Sequence, residues 1–391
     1  MRITDVRTIL LRYEYEKPIM DALYPLYDRQ CLLILVETDE GITGIGEAAY
    51  FGGPGISTQT VIEHELKPYL LGEDPMRMER IWTKLYRQSY HHGRRGLVLT
   101  AIGGIDVALW DLLGKICNQP VYKLCGAYRE SILAYASGCF YQEGKTCRDV
   151  AEEAATYVGQ GFRAVKMKVG RNREAPLNPL EVLTNSAASV TLDEDLERVA
   201  AVRTAIGPGA RLMVDANNAW APSTAIQMGR EFEKLGVYWL EEPVMTDDIE
   251  GSARIAEALA MQVAGYESEQ SLYGYRDLIT RHAVDIVQPD PTWVGGFTEA
   301  RKIAALAQAY NKLVVPHSFN SAVSILVNLH FTCSIPNGQM VEVDRNPNPL
   351  RDDLLEEPLR LDDQGCLHVP NEPGFGIRLN QATLKKHAVG G

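Results

Sequence analysis

From about residue 132 onward, short apolar strands alternate strictly with amphipathic helices, and this rhythm constrains the fold more than any other feature of the chain. "ILAYASG" precedes the helical pattern "TCRDVAEEAATYVGQG", and "AVKMKV" leads on to "LDEDLERVAAVRTAIG". "RLMVDAN", "VYWLEEP", "QVAGYES", "VDIVQPD" and "LVVPHSF" are each followed by a helix of their own, and "GQMVEVD" ends the series. Strict alternation implies a parallel sheet. Eight such strands in succession predict a closed (β/α)7β-type TIM barrel, with a doubly wound sheet as the alternative.

Each strand carries a charged or imidazole side chain near its C-terminal end: Lys166 and Lys168, then Asp215, Glu241, Glu267, Asp290, His317 and Glu342. From Asp215 the separations are 26, 26, 23, 27 and 25 residues, one strand–helix unit per step. All of them are therefore expected at one end of the barrel, the end where such folds place their chemistry. Any one carboxylate alone reads as a strand-end cap or a salt-bridge partner. Asp215, Glu241 and Glu267 on consecutive strands repel one another unless a cation neutralises them. All-oxygen ligation of that kind suits Mg²⁺.

Lys166 and Lys168 share one face of their strand. Two ammonium groups side by side are costly to bury without partners. The carboxylates and a metal supply the compensation. One lysine then holds the charge of a bound carboxylate, and the other, its pKa lowered by neighbouring cations, takes a proton. Asp290 behind His317 fixes the tautomer of the imidazole and raises its basicity, which points to an acid or base on that strand.

The part before the barrel reads as α+β. "MRITDVRTILLRY" begins a strand, and "CLLILVETDEGITGIGEA" is a hairpin turning at Asp39-Glu40-Gly41. From Thr60 the pattern is helical. Leu99, Ile102, Ile105, Ala108, Leu109 and Leu112 recur at helical spacing until Asn118 and Pro120 stop the run. The expected units are an N-terminal α+β capping domain over 1–126, the barrel over 127–350, and a segment of short strands and turns, 351–391, that returns to the first domain.

The formal charge of −12, with no basic block, argues against nucleic acid or an anionic membrane as a partner. No run is expected to be long and apolar enough to span a bilayer, and the first residues lack a signal-peptide core. Seven scattered cysteines read as free thiols in a reducing cytosol, so the expected location is cytoplasmic.

The collinear set "GITGIGEA", "GIDVALWDLLGK", "VKMKVG", "VDANNAW", "LEEPV", "GYES", "QPD", "VVPHSF" and "VEVDRNPNPL" resembles the mandelate racemase subgroup of the enolase superfamily over nearly the whole chain. The resemblance implies that Asp215, Glu241 and Glu267 ligate Mg²⁺. It makes Lys168 the base on one face of a small carboxylate substrate and Lys166 the contact to that carboxylate. His317, paired with Asp290, becomes the acid/base on the opposite face. Glu342 is the hydrogen-bonding acid at the far end of the carboxylate, and Asn217 contacts substrate or orients metal ligands. The implied reaction is removal of the α-proton of an acid sugar followed by dehydration to a 2-keto-3-deoxy acid. Racemisation, epimerisation or lactone cycloisomerisation are the alternatives, and the tail "VEVDRNPNPLRDDLLEEPL" resembles that of galactarolactone cycloisomerases. The resemblance also implies a homo-oligomer, an octamer or a dimer.

Two departures stand out. Lys168 and Asp215 are 47 residues apart, and "RNREAPLNPLEVLTNSAASV" (171–190) is the source of the excess. It is expected to lie partly ordered over the site or at a subunit contact. The capping loops "IMDALYPLYDRQ" and "YFGGPGIS" are expected to select the substrate, with Tyr24 and Tyr50 as binding residues and Tyr27 and Phe51 shaping the pocket.

Overall fold

The structure, a computed structural model, describes residues 1–173 and 188–389. Strands β1 (Ile3–Met20), β2 (Pro25–Thr38) and β3 (Thr43–Ala48) form an antiparallel sheet in the order β1-β2-β3. The hairpin between β2 and β3 closes where Gly41 takes a φ of 76° and donates its N–H to the Thr38 carbonyl over 3.1 Å.

The glycines of "GITGIGEA" have a packing reason. A Cβ on Gly44 would stand 2.1 Å from the Ala108 carbonyl oxygen, and one on Gly46 2.4 Å from that of Gly104. Strand β3 thus lies directly on the backbone of the helix Leu97–Ile116. That helix corrects one expectation. It has 20 residues and a mean hydropathy of 1.7, long and apolar enough to cross a membrane, yet 89% of its most apolar window is buried inside the protein. It is apolar all round because sheet covers one side and barrel helices the other. The chain leaves it at Asn118, whose φ of 51° ends the helical path.

Strands β4 (Ser131–Gly138), β5 (Ala164–Lys168), β6 (Arg211–Asp215), β7 (Val237–Glu241), β8 (Gln262–Gly265), β9 (Ile286–Val287), β10 (Leu313–Val314) and β11 (Val341–Asp344) are parallel neighbours in the order β10-β9-β8-β7-β6-β5-β4-β11. A bridge between Val314 and Gly338 joins β10 to the segment entering β11, closing the barrel. The barrel fold with its capping sheet is as the sequence predicts, and the doubly wound alternative falls. Helices such as Cys147–Gly159 and Leu192–Ile206 cover the outside, each opened by a capping box from Thr146 and Thr191.

Inside the barrel, Tyr135, Ala164, Met213, Trp239, Ala264, Ile286, Val315 and Met340 form a separate buried layer, one side chain from or beside each strand. Side chains two residues further along a strand point the same way. This layer therefore floors the space into which Lys166, Asp215, Glu241 and Glu342 project.

The C-terminal segment touches both parts. Strand β12 (Cys366–His368) pairs antiparallel with β4 of the barrel, while Ala388, after the helix Gln381–His387, bridges to Leu11 of β1. All seven cysteines are free.

Candidate active site

Register sets the first row of the site. Lys168, Asp215 and Glu241 are the last residues of β5, β6 and β7 and are directly paired across the sheet. Glu267 follows β8 by two residues, Asp290 and His317 follow β9 and β10 by three, and Glu342 lies within β11. The structure brings all eight predicted barrel residues, Lys166 included, to one end.

The two lysines are buried, with Lys166 1% and Lys168 6% exposed. Lys166 is ion-paired with Glu241, lies 2.9 Å from Glu342 Oε1 and 3.8 Å from Asp215 Oδ2. Lys168 is ion-paired with Asp215, and its ammonium lies 4.9 Å from the centre of the Phe140 ring. The adjacent ammonium groups thus take different carboxylates. Burial and Lys166 work to depress the Lys168 pKa, but Asp215, Glu267 and Glu241 together raise it, the reverse of the direction expected from neighbouring cations. Lys166 is likewise raised well above its ordinary value against its own burial, by Glu241 and Glu342.

The carboxylates are individually aimed. Asp215 Oδ1 accepts the Asn217 N–H over 2.9 Å. Glu241 Oε2 accepts from Trp239 Nε1 and from Gln288 Nε2, both over 2.9 Å. The Asn217 side-chain oxygen is buried and has no hydrogen-bond partner. Burial and the charges of Asp215, Glu342 and Glu267 push the Glu241 carboxyl up to about 8 despite Lys166. Glu342 moves the other way: burial opposes it, but Lys166, His317 and the Ser318 N–H at 2.9 Å hold it well below the usual range.

Across the barrel, His317 Nδ1 lies 2.9 Å from Asp290 Oδ2 and Nε2 lies 3.4 Å from Glu267 Oε2. Asp290 is itself fixed at Oδ1 by the N–H and hydroxyl of Thr292, over 2.8 and 2.7 Å. Burial works against protonation of His317, yet Glu267, Asp290 and Glu342 raise its pKa to about 9. The Trp293 ring packs edge-on against the imidazole, 5.9 Å between centres.

The capping sheet roofs this end. Ile19 and Leu26 join Phe140 and Phe319 in a small cluster with Tyr15 and Phe51 packed on it. Tyr50 is half-buried, its hydroxyl 3.4 Å from the Asp28 carbonyl, whereas Tyr24 and Tyr27 are 53% and 58% exposed. Most of the stretch 171–190 lies outside the described residues.

Several supporting groups escaped the sequence reading. Gln288 lies two residues before Asp290, so strand alternation could have placed it beside that aspartate. Glu242, the second acid of "LEEP", accepts the Glu267 N–H over 3.0 Å and the Asn218 amide over 2.7 Å. Arg29 of β2 reaches 2.7 Å from Asp344 Oδ2, a long-range pairing with no local signature.

Residues 4–126 match the mandelate racemase/muconate lactonizing enzyme N-terminal domain, and residues 149–383 match the enolase C-terminal domain-like family. The chain belongs to the enolase superfamily, in its mandelate racemase subgroup. It is 34% identical over 389 residues to an arabinonate dehydratase of Saccharolobus solfataricus, covering 98% of this chain and 99% of that one. It is 36% identical over 394 residues to a D-galactarolactone cycloisomerase of Agrobacterium fabrum, covering 98% of each. A racemase from Streptomyces coelicolor, solved with bound magnesium, superposes with a TM-score of 0.86 at 31% identity, covering 99% of this chain and 100% of that one.

The donor set suits such an ion. Asp215, Glu241 and Glu267 offer only hard oxygen donors from neighbouring strands. Among the described residues no three candidate ligands close together as they stand, because Asp215 leans on Lys168 and Glu241 on Lys166. Burial first, and the nearby Asp215, Glu342 and Glu267 after it, push Glu241 upward, and a divalent cation would offset the contribution of those anions.

Proposed function

We propose that this enzyme removes the proton α to the carboxylate of an acid sugar in a Mg²⁺-dependent reaction and then expels the β-hydroxyl as water, giving a 2-keto-3-deoxy acid. The observation that carries this reading is the placement of two proton-transfer groups on opposite walls. Lys168 ends β5, and the Asp290–His317 pair follows β9 and β10, with the carboxylate arc Asp215, Glu241 and Glu267 between them.

In this reading Asp215, Glu241 and Glu267 hold Mg²⁺, with Asn217 beside them as a substrate or ligand-orienting contact. The bound ion supplies positive charge against the negative charge that develops on the substrate carboxylate. Lys166 and Glu342 take that carboxylate, the lysine as a cation and the acid as a hydrogen-bond partner. Asp215 engaged by the ion would no longer hold the Lys168 proton, and Lys168, as the free amine, would accept the α-proton on one face. His317, held by Asp290, delivers a proton from the other face to the departing hydroxyl, and the enol left behind tautomerises to the ketone. The same two groups opening a lactone ring would make a cycloisomerase, the second reading, favoured by the 36% identical relative. Homo-oligomeric assembly and a cytoplasmic location belong to this proposal as well.

The test is a stereochemically complete panel of sugar acids with Mg²⁺, scored for 2-keto acid. Lys168→Ala and His317→Ala are each expected to lower turnover by about 10²–10⁴-fold. Full activity in both variants would overturn the two-group mechanism. Exchange of deuterium at C2 without dehydration would assign racemisation or epimerisation instead.

A further inference from the structure

The ladder between β4 and β5 stops one step short of the proposed base. Ala136, Ser137 and Gly138 pair with Val165, Lys166 and Met167, and the next pair would be Cys139 with Lys168. Cys139 instead takes a φ of 55° and gives its N–H to Glu153 Oε1 over 2.8 Å. Lys168 therefore keeps a strand neighbour only on the side of β6, where it pairs with Asp215. On the β4 side the buried carbonyls of Cys139 and Lys168 need donors from elsewhere.

Arg198, on the helix Leu192–Ile206, supplies them. Its Nη1 donates to the Lys168 carbonyl over 3.1 Å and its Nη2 to the Cys139 carbonyl over 3.4 Å. The guanidinium is held in turn. Asp195, one turn earlier on the helix, accepts from Nη1 over 2.7 Å, and the Tyr141 ring centre lies 3.9 Å from Cζ. Asp195 Oδ2 also accepts the Gly170 N–H and the Asn172 amide, over 2.9 and 2.8 Å, and its Oδ1 accepts the Tyr141 hydroxyl over 2.7 Å. Asp195 is 0% and Arg198 5% exposed. Two charges at that depth are costly to bury unless paired and hydrogen-bonded, and both are.

The pair grips the chain on both sides of Val169, at the Lys168 carbonyl and at the Gly170 N–H. It also holds the exit of β4, which carries Phe140 to within 4.9 Å of the Lys168 ammonium. We propose that Arg198, fixed by Asp195, is a positioning residue for the base, setting where the end of β5 presents the Lys168 amine to the α-carbon. The inference rests on the acid-sugar reading above and adds to it a residue that acts only through Lys168.

The physical reason is geometry. A base must come within about 2.6–3.2 Å of the proton it takes, and a misplacement of about 1 Å costs on the order of 10²-fold. The lysine stem is flexible, so the backbone that carries it is the part that can be fixed. A planar guanidinium reaches two carbonyls at once, which an ammonium, a point charge, does not.

The experiment measures kcat and KM for Arg198→Met and for Arg198→Lys, which keeps a charge for Asp195 but loses the fork. Each substitution is also made in the Lys168→Ala enzyme. Arg198→Met is expected to lower kcat by about 10–10²-fold and to leave KM within about twofold, because Lys166 and Glu342 still hold the carboxylate. Arg198→Lys should fall between it and the native enzyme. In Lys168→Ala the same substitutions should change the residual kcat by less than about twofold, since no amine is left to place. If Arg198→Met does not fold, Arg198→Lys carries the same comparison. Native kcat in the folded variants, a loss borne by KM, or an equal further loss on top of Lys168→Ala overturns the role of Arg198 and leaves the acid-sugar reading intact. If Lys168→Ala itself keeps full activity, or no sugar acid is turned over, that reading fails and this inference falls with it.

Discussion

His330 shows how one buried residue writes itself into the pH dependence of the fold. Its Nδ1 accepts the Tyr122 N–H over 3.2 Å, and its ring packs edge-on against Tyr122 and Phe375. Burial drives its pKa down to about 3. The unfolded chain takes up this proton below about pH 6.5 and the folded chain does not, so stability falls as pH drops through that window, by up to ~1.4 kcal/mol per unit. Glu47 and Asp106, pushed up to about 7 by burial, act in the opposite sense over the same range. The difference between native protein and His330→Gln isolates the histidine. The variant should be the less stable at pH 7.5, and the gap should shrink toward pH 5, read from urea midpoints. At this scale the sequence was most legible where a charge interrupts an apolar strand. Lys166, Asp215 and Glu241 announce themselves that way, whereas Arg29 sits in the polar stretch Asp28-Arg29-Gln30, where a charge is unremarkable.

Elements of the two parts are joined by carboxylates that cap helices across the boundary. Asp106, inside the apolar helix Leu97–Ile116, accepts the Thr298 N–H over 2.8 Å and its hydroxyl over 2.7 Å at the start of the helix Phe297–Ala309. The intervening Gly296 has a φ of 110°, and a Cβ there would stand 2.4 Å from Asp106 Oδ2. Glu47 of β3 accepts from Ser321 and from the Ser324 N–H, over 2.7 and 2.8 Å, at the start of the helix Ala322–Ser334. A helix N-terminus leaves backbone donors unpaired, and a cap lost there costs about 0.5–2 kcal/mol. Asp106→Ala also strands a buried hydroxyl, so a loss near the upper end, ~2 kcal/mol, is expected. Glu47→Gln keeps an acceptor and should cost well under ~1 kcal/mol. Denaturant titration of both variants checks the contrast, and equal losses would contradict it. The strands and helices themselves were legible from periodicity, because the barrel wall is apolar on both sides except where the strand ends carry the site. The caps were not, since an aspartate at position 106 of an apolar helix gives no hint of which other helix it serves.

At the scale of the molecule, the roof over the site holds only while the capping sheet stays seated on the barrel, and Arg29 is a buried tie between the two. Buried in β2, it donates to Asp344 Oδ2 and to the Phe319 carbonyl, both over 2.7 Å, and its guanidinium lies 3.3 Å from the Phe319 ring centre. Asp344 ends β11, two residues past Glu342, so the roof is anchored beside the proposed carboxylate-binding acid. Removing one partner of a buried pair strands the other charge, at a cost of about 3–5 kcal/mol. Arg29→Met should therefore destabilise strongly, and Arg29→Met combined with Asp344→Asn should recover part of the loss because no charge is then left unpaired. The cycle of four proteins, followed by urea unfolding, yields the coupling energy directly. Catalysis should respond differently from stability. The double variant regains midpoint without regaining the guanidinium packed on Phe319, whose ring stacks on Phe140 against Lys168. KM should thus stay elevated even where stability returns. Recovery of both together would mean that the tie serves only to hold the fold, and that the roof keeps its place over Lys168 without it.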